Sequence, residues 1–249
     1  MIISMGKRGP KPKYTINTEW NANLAYAVGL LATDGCLGRD GLWIDLTSKD
    51  KEQLQNYNHC LGTKVKIGIK NKNSNNRAWR VQMKNRNFYD FLVSIGFTPR
   101  KSMTINKILI PKKYFFDFLR GCLDGDGYTF SYWDPRWKSS FMIYTGFVSA
   151  SKPFLIWIQE EIFLRLQITG HITNAKKKNI YYQLKYAKYD SLKLLKSIYA
   201  SKDAIFLKRK RLKIDKTLAT IGWSLTPKGK YLTNKRAGGE TGTRTTLRW

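Results

Sequence analysis

Apolar residues return at helical spacing in two places, each ending in an Asp-Gly step. In the first, Leu24, Val28 and Leu31 stand at i, i+4 and i+7 and form one stripe of a helix. Ala25, Gly29 and Ala32/Thr33 form a neighbouring stripe of small residues. Asn21 or Asn23 suits the N-cap of this helix, which runs to about Thr33. In the second, Phe118 and Cys122 are the apolar stripe and Gly121 and Gly125 the small one. Elsewhere the period is two, the signature of strands. Over 64–70, Lys64, Lys66, Gly68 and Lys70 alternate with Val65, Ile67 and Ile69; over 79–84, Arg80, Gln82 and Lys84 alternate with Trp79, Val81 and Met83. Over 181–186, Tyr181, Gln183 and Lys185 alternate with Tyr182, Leu184 and Tyr186. Each strand thus has one apolar face to carry helices and one face of Lys, Arg, Gln and Tyr.

The two helical stretches belong to an internal repeat. Gly29-Leu30-Leu31-Ala32-Thr33-Asp34-Gly35 and Gly121-Cys122-Leu123-Asp124-Gly125-Asp126-Gly127 share the frame G-x-L-x-x-D-G, offset by 92 residues. Each is followed by a β-rich stretch with aromatics, 42–47 and 128–148. A Ser-Lys pair then suits a helix start (Ser48-Lys49, Ser151-Lys152), and the helix is expected to stop at Gly62 or Gly170. Two basic strands, a short amphipathic helix and an Arg-Lys pair (Arg100-Lys101, Arg209-Lys210) complete each half. The expected fold is therefore α+β, with two α-β-β-α-β-β-α repeats. A basic arm covers 1–16, the first repeat 17–105, the second 106–222, and a flexible tail of low apolar content 223–249. The second repeat has the longer first hairpin, with Trp133-Asp134-Pro135-Arg136-Trp137 among its extra residues.

Charge narrows the function. Lys and Arg number 45 against 17 Asp and Glu, a net charge of +28 over 249 residues. An excess of that size repels itself and points to a polyanionic partner, nucleic acid or an anionic membrane. A membrane is the poorer choice, because no apolar run approaches the ~18 residues of a span, and the first residues carry no signal-peptide stretch. Three widely spaced cysteines and two histidines, His59 and His171, give no disulfide framework and no His-based metal or triad site. The chemistry falls to carboxylates, amides, hydroxyls and lysine. The basic strand faces fit a β-ribbon in a DNA major groove, where Arg and Lys suit guanine and Gln suits adenine.

The small stripes carry the sharper inference. Small residues every fourth position let two helix backbones approach closely. Packed on those stripes, the motif helices bring Asp34 and Asp126 side by side. Each aspartate then lies near a helix C-terminus, where the macrodipole is already negative. Like charge and dipole raise both pKa values unless a cation is supplied. Mg²⁺, commonly held by one or two carboxylates and phosphate oxygens, is the natural choice. A lone Asp-Gly is an ordinary turn signal; two at one offset, each after a small-faced helix, point to a site.

Paired motifs of this kind in a basic, duplicated chain resemble the LAGLIDADG homing endonucleases of the single-chain, two-motif type. The resemblance covers about residues 20–218. Leu119, Gly121, Asp124, Asp126 and Gly127 keep the family letters in the second motif; Gly29, Leu30, Asp34 and Gly35 keep them in the first. The first motif departs at Ala32, where the second has Asp124.

The resemblance implies a pseudosymmetric saddle of two antiparallel sheets over DNA, with the motif helices at its centre. It implies Asp34 and Asp126 as metal ligands, joined by the backbone carbonyls of Thr33 and Gly125. It further implies a lysine near each scissile phosphate, which the repeat alignment assigns to Lys101 and Lys210, with Lys208 the competitor. The expected activity is Mg²⁺-dependent double-strand cleavage at a long target, with Ca²⁺ or Mn²⁺ as substitutes for binding or cleavage. DNA contacts are expected from Lys64, Lys66, Lys70, Arg77, Arg80, Gln82, Lys84, Tyr181, Gln183 and Lys185. The expected unit is a monomer on double-stranded DNA, inside the cell, in an organelle or a prokaryotic cytoplasm. No splicing-domain signature flanks the repeats, which predicts a free-standing or intron-encoded protein. Two alternatives stay open on the same scaffold: a maturase that binds intron RNA, and a DNA-binding protein that does not cleave.

Overall fold

The computed structural model describes residues 15–71, 77–176 and 180–225; the expected arm of 1–16 and tail of 223–249 lie almost wholly outside them. The first half runs α1 (Ala22–Asp34), β1 (Gly35–Leu37), β2 (Trp43–Ser48), α2 (Lys51–Cys60), β3 (Ile67–Lys70), β4 (Ala78–Lys84), α3 (Arg86–Ser94) and α4 (Lys101–Thr104). The second runs α5 (Phe115–Asp124), β5 (Tyr128–Trp133), β6 (Phe141–Ser149), α6 (Lys152–Leu166), β7 (His171–Lys176), β8 (Ile180–Tyr186), α7 (Lys188–Ile198) and α8 (Lys208–Ala219). Each half is the expected α-β-β-α-β-β-α unit with one further helix, α4 or α8, opened by the Arg-Lys pair. No helix of the described residues is long and apolar enough to cross a membrane.

Each half builds one four-stranded antiparallel sheet, in the orders β1-β2-β4-β3 and β5-β6-β8-β7. Side-chain alternation sets which face is covered. Ile44, Leu46, Val81 and Met83 are buried on one face of the first sheet; Ile143, Phe147, Leu184 and Tyr186 are buried on one face of the second. A one-residue slip would turn each of these sets to water, so register is strongly specified. The motif helices lie between the halves. Asn21, not Asn23, caps α1 and accepts from the Leu24 amide at 2.9 Å. Every residue of α1 from Leu24 to Ala32 is buried, the pattern of a helix surrounded by protein on all sides.

Several expected boundaries moved, each for a local reason. Strand β3 starts at Ile67 instead of residue 64, because the Val65 carbonyl accepts from Asn58 Nδ2 at 2.7 Å and is lost to a strand ladder. Lys64 and Lys66 therefore sit in the loop before the sheet. Ser151 caps α6 as expected, but Ser48 does not cap α2. Its hydroxyl donates instead to Gln53 Oε1 at 2.8 Å, and Asp50 takes the cap position. Helix α6 ends at Leu166, with Gln167 in the left-handed region at φ 51°, three residues before Gly170. Gly170 is small for another reason: a Cβ there would meet Leu184 and Tyr186 side chains at 2.7 Å.

Candidate active site and nucleic-acid interface

Helices α1 and α5 touch backbone to backbone. A Cβ on Gly29 would lie 2.1 Å from the Phe118 carbonyl oxygen, and one on Gly121 would lie 2.2 Å from that of Tyr26. The expected small stripes are therefore the contact itself. Tyr26 fixes the register of the pair by donating its buried hydroxyl to Asp124 Oδ2 at 2.7 Å. The same oxygen accepts from the Leu207 amide at 2.7 Å, directly before α8. Asp124 Oδ2 is thus a strut between α1, α5 and α8, while Oδ1 is buried without a hydrogen-bond partner, and the carboxyl is pushed up to about 6 chiefly by burial.

The helix ends converge as the small stripes require. A Cβ on Gly125 would come within 3.1 Å of Asp34 Oδ2, so the two motif ends adjoin. Burial, and after it the charge of Asp126, pushes the Asp34 carboxyl up to about 6. Burial also raises Asp126, with Lys101 and Lys210 opposing. The two lysines approach from below the motif ends. Lys101 Nζ donates to the carbonyls of Ala32 at 2.7 Å and Thr33 at 3.0 Å. Lys210 Nζ donates to the carbonyls of Leu123, Gly125 and Gly127 at 2.8, 2.6 and 2.7 Å. Each ammonium thus neutralises the negative end of a motif helix. Burial lowers both, Lys101 to about 8. Lys208 is far more exposed and lies 3.9 Å from Glu52, so Lys210 is the lysine at the motif.

This arrangement fits a divalent cation. Among the described residues neither Asp34 nor Asp126 has a salt bridge, because the nearby ammoniums are spent on carbonyls. Two desolvated carboxylates without an ion-pair partner call for positive charge from outside. No cluster of three or more His, Cys, Asp or Glu exists among the described residues. The remaining ligands must then be water, phosphate oxygens or carbonyls, which is the habit of Mg²⁺. The Thr33 and Gly125 carbonyls are already engaged by lysine, and their second lone pairs are what they have left to offer. Beside Asp34 a cavity of about 390 Å³ is lined by Lys49, Lys70, Arg209 and Lys210 and also by Asp50 and Asp124, so both signs of charge face it.

A pH prediction follows from Asp34. Its carboxyl titrates near 6 when folded and near 3.8 as the ordinary value, so the folded state binds more protons between about pH 4 and 6. Its contribution therefore makes stability fall as pH rises through that window and stay flat above it. Thermal melts of the metal-free protein from pH 4 to 7 should show a shallower fall for Asp34→Asn than for the wild type. Equal slopes would contradict the burial of this charge.

No protein-family model matches the chain, and no curated protein matches it in sequence. Solved structures do. The homing endonuclease I-WcaI bound to its DNA recognition sequence superposes with a TM-score of 0.56 at 12% identity, over 84% of this chain and 95% of its own. The I-LtrWI LAGLIDADG homing endonuclease bound to target DNA gives 0.54 at 14% identity, over 83% and 93%. The chain has the LAGLIDADG homing-endonuclease fold. Full-length DUF199/WhiA from Thermatoga maritima is also similar, with a TM-score of 0.51 at 14% identity over 81% of this chain. There the chain spans only 61% of the partner's length.

The LAGLIDADG sheets present their polar faces together by register. Lys70, opposite Ala78, shares a face with Arg80, Gln82 and Lys84, while Arg77 directly precedes the strand. Lys64 and Lys66 stand off this face, in the loop before β3. On the second sheet Tyr181, Gln183 and Lys185 share one face, half-buried. Several of these groups are already partnered. Arg80 is ion-paired with Asp45, and Gln183 Oε1 accepts from the Tyr128 hydroxyl at 3.2 Å.

One residue escaped the sequence reading. Gln53 is buried on α2 and donates Nε2 to Asp34 Oδ2 at 2.5 Å, while its Oε1 is held by Ser48. It orients one carboxylate of the LAGLIDADG pair. The repeat gives it no twin at Asp126, because the aligned position after Ser151 is Ile156. The available signal was an amide five residues after Ser48, too common a pattern to single out.

Proposed function

We propose that this chain is a sequence-specific, Mg²⁺-dependent DNA endonuclease that cuts both strands of a long duplex target. The observation that carries the reading is the pair Asp34 and Asp126, desolvated at adjoining helix ends, without a salt bridge, and each flanked by a buried lysine. A bound Mg²⁺ supplies the positive charge that holds scissile phosphate oxygens and makes an attacking water more acidic. The protein does the rest. Asp34, aimed by Gln53, and Asp126 hold that charge at the centre of the saddle. Lys101 and Lys210 keep the helix ends neutral; Lys210 has all three N–H donors on carbonyls, and Lys101 has two of its three. The two sheet faces, the first basic and the second largely aromatic, clasp the duplex on either side and fix which phosphates reach the centre.

Both motifs lie in one chain, so the working unit is a monomer. Its substrate is duplex DNA, and its place is inside the cell, in an organelle or a prokaryotic cytoplasm. Duplex binding is the first test. Lys and Arg contacts release counterions, about 0.9 per phosphate on B-DNA. The log–log slope of binding against salt is expected on the order of −5 to −10 by that rule. A slope near zero would mean that the charge serves something other than a duplex.

A further inference from the structure

The two sheet faces that meet DNA in the reading above are built from different chemistry. On the first sheet, the strands next to the motif helix turn Cys36, Trp43, Asp45 and Thr47 to that face. Lys84 lies 4.6 Å over the Trp43 ring and Arg80 pairs with Asp45, so the face is charged and polar. On the second sheet the corresponding strands, β5 and β6, are longer. They turn Tyr128, Phe130, Tyr132, Met142 and Tyr144 to the face shared with Gln183 and Lys185.

Those rings form a ladder. Phe130 stacks on Tyr144 across the strands at 4.9 Å and 16° between planes. Along the strand it stacks on Tyr128 at 5.9 Å and on Tyr132 at 6.2 Å. Tyr132 and Tyr144 close the set at 6.1 Å. Lys185 Nζ lies 5.0 Å over the Tyr144 ring. Phe130 thus sits inside the ladder with ring neighbours on three sides. It is still 37% exposed, and Tyr132 beside it 42%.

This geometry decides the kind of partner. Proteins that grip single-stranded bases offer free ring faces on which a base can stack. Here Phe130 has Tyr128 and Tyr132 stacked along the strand and Tyr144 across it, so its faces are taken. Its hydroxyl-free edge instead suits the C5-methyl group of thymine, the one apolar group on base edges in the major groove, which Phe side chains contact. We propose that the second sheet reads its half of the target through thymine methyl groups against the exposed edge of Phe130, held in place by the flanking tyrosines, while the first sheet reads by charge and hydrogen bonds. The target would then be asymmetric in chemistry, with one half-site dependent on thymine. This inference rests on the reading of the chain as a duplex-DNA binder.

Deoxyuridine, which lacks only the methyl group, gives the test. A randomised duplex pool is selected on the full chain in Ca²⁺, and the retained duplex is resynthesised with deoxyuridine for thymidine in one half-site at a time. Burial of one methyl is worth ~0.8 kcal/mol, so each contacted methyl removed should weaken binding about fourfold. The expected result is that loss in one half-site and less than twofold loss in the other. The double variant Phe130→Ser with Tyr132→Ser should bind more weakly and no longer distinguish thymidine from deoxyuridine. If the rings only stabilise the hairpin, the variant lowers binding to both duplexes equally, which overturns the proposal. So does equal indifference of the two half-sites in the wild type, where no variant is needed. If no duplex is retained, the functional reading falls and takes this inference with it. Preferential retention of structured RNA would do the same.

Discussion

Asp34→Asn is expected to abolish double-strand cleavage while making the metal-free protein more stable. Asparagine keeps the size and one acceptor oxygen, so Gln53 Nε2 still has a partner. It loses the charge that attracts Mg²⁺. Metal stabilisation of developing charge is worth several kcal/mol, so the cutting rate should fall by at least about 10³-fold, ~4 kcal/mol. The same substitution removes a buried charge that Asp126 repels. The rise of the carboxyl from 3.8 to about 6 marks a cost to folding at pH 7 on the order of 3 kcal/mol. For a chain of this size that corresponds to about 6–12 °C in melting temperature. Asp126→Asn should act in the same direction. Asp124→Asn should cut close to wild type, because its carboxylate is spent on Tyr26 and Leu207. Cleavage assays and melts on the three variants check all of this. Loss of activity together with loss of stability at Asp34 would show a structural role in place of a metal site.

Gly29→Val or Gly121→Val should break the molecule at its centre. Even the first carbon of a side chain would fall 2.1–2.2 Å from a carbonyl oxygen of the facing helix, where backbone cannot give way. Overpacking a well-filled core costs about 1–3 kcal/mol where side chains can adjust, and more where they cannot. A loss of at least ~3 kcal/mol is expected, seen as a melting temperature lower by about 6–12 °C or as insoluble protein. Because α1 and α5 carry the site, any folded fraction should also lose cleavage. Wild-type stability in either variant would mean that the helices do not meet along these glycines.

Much of this was legible in one dimension because it depends on spacing alone. The glycines at 29 and 121 and the aspartates at 34 and 126 keep one offset, and a helix converts that offset into a shared face. Lys101 and Lys210 do not keep that offset, being 109 apart; each ends the Arg-Lys pair of its half, and their role came from the family resemblance. The strands were readable wherever a face was buried. What was not legible depends on contacts between distant parts of the chain. Residues 64–66 alternate like a strand, but the Asn58 side chain takes the carbonyl that a strand would need. Gln53 gains its role only when α2 folds back on the end of α1. Asp124 looks like a motif letter, yet its partners are 98 residues before it and 83 after. The aromatic ladder was visible only as a β-rich stretch with aromatics; that Phe130 stacks between its neighbours is a property of the folded hairpin.

The most direct test of the central claim is to incubate the full chain with randomised duplex DNA and Mg²⁺ and to sequence the cut ends. The account predicts double-strand breaks at one long site family, and no ends from Asp34→Asn or Asp126→Asn. Breaks of the same yield from both variants, or no breaks from a wild-type chain that binds duplex DNA tightly, would contradict it.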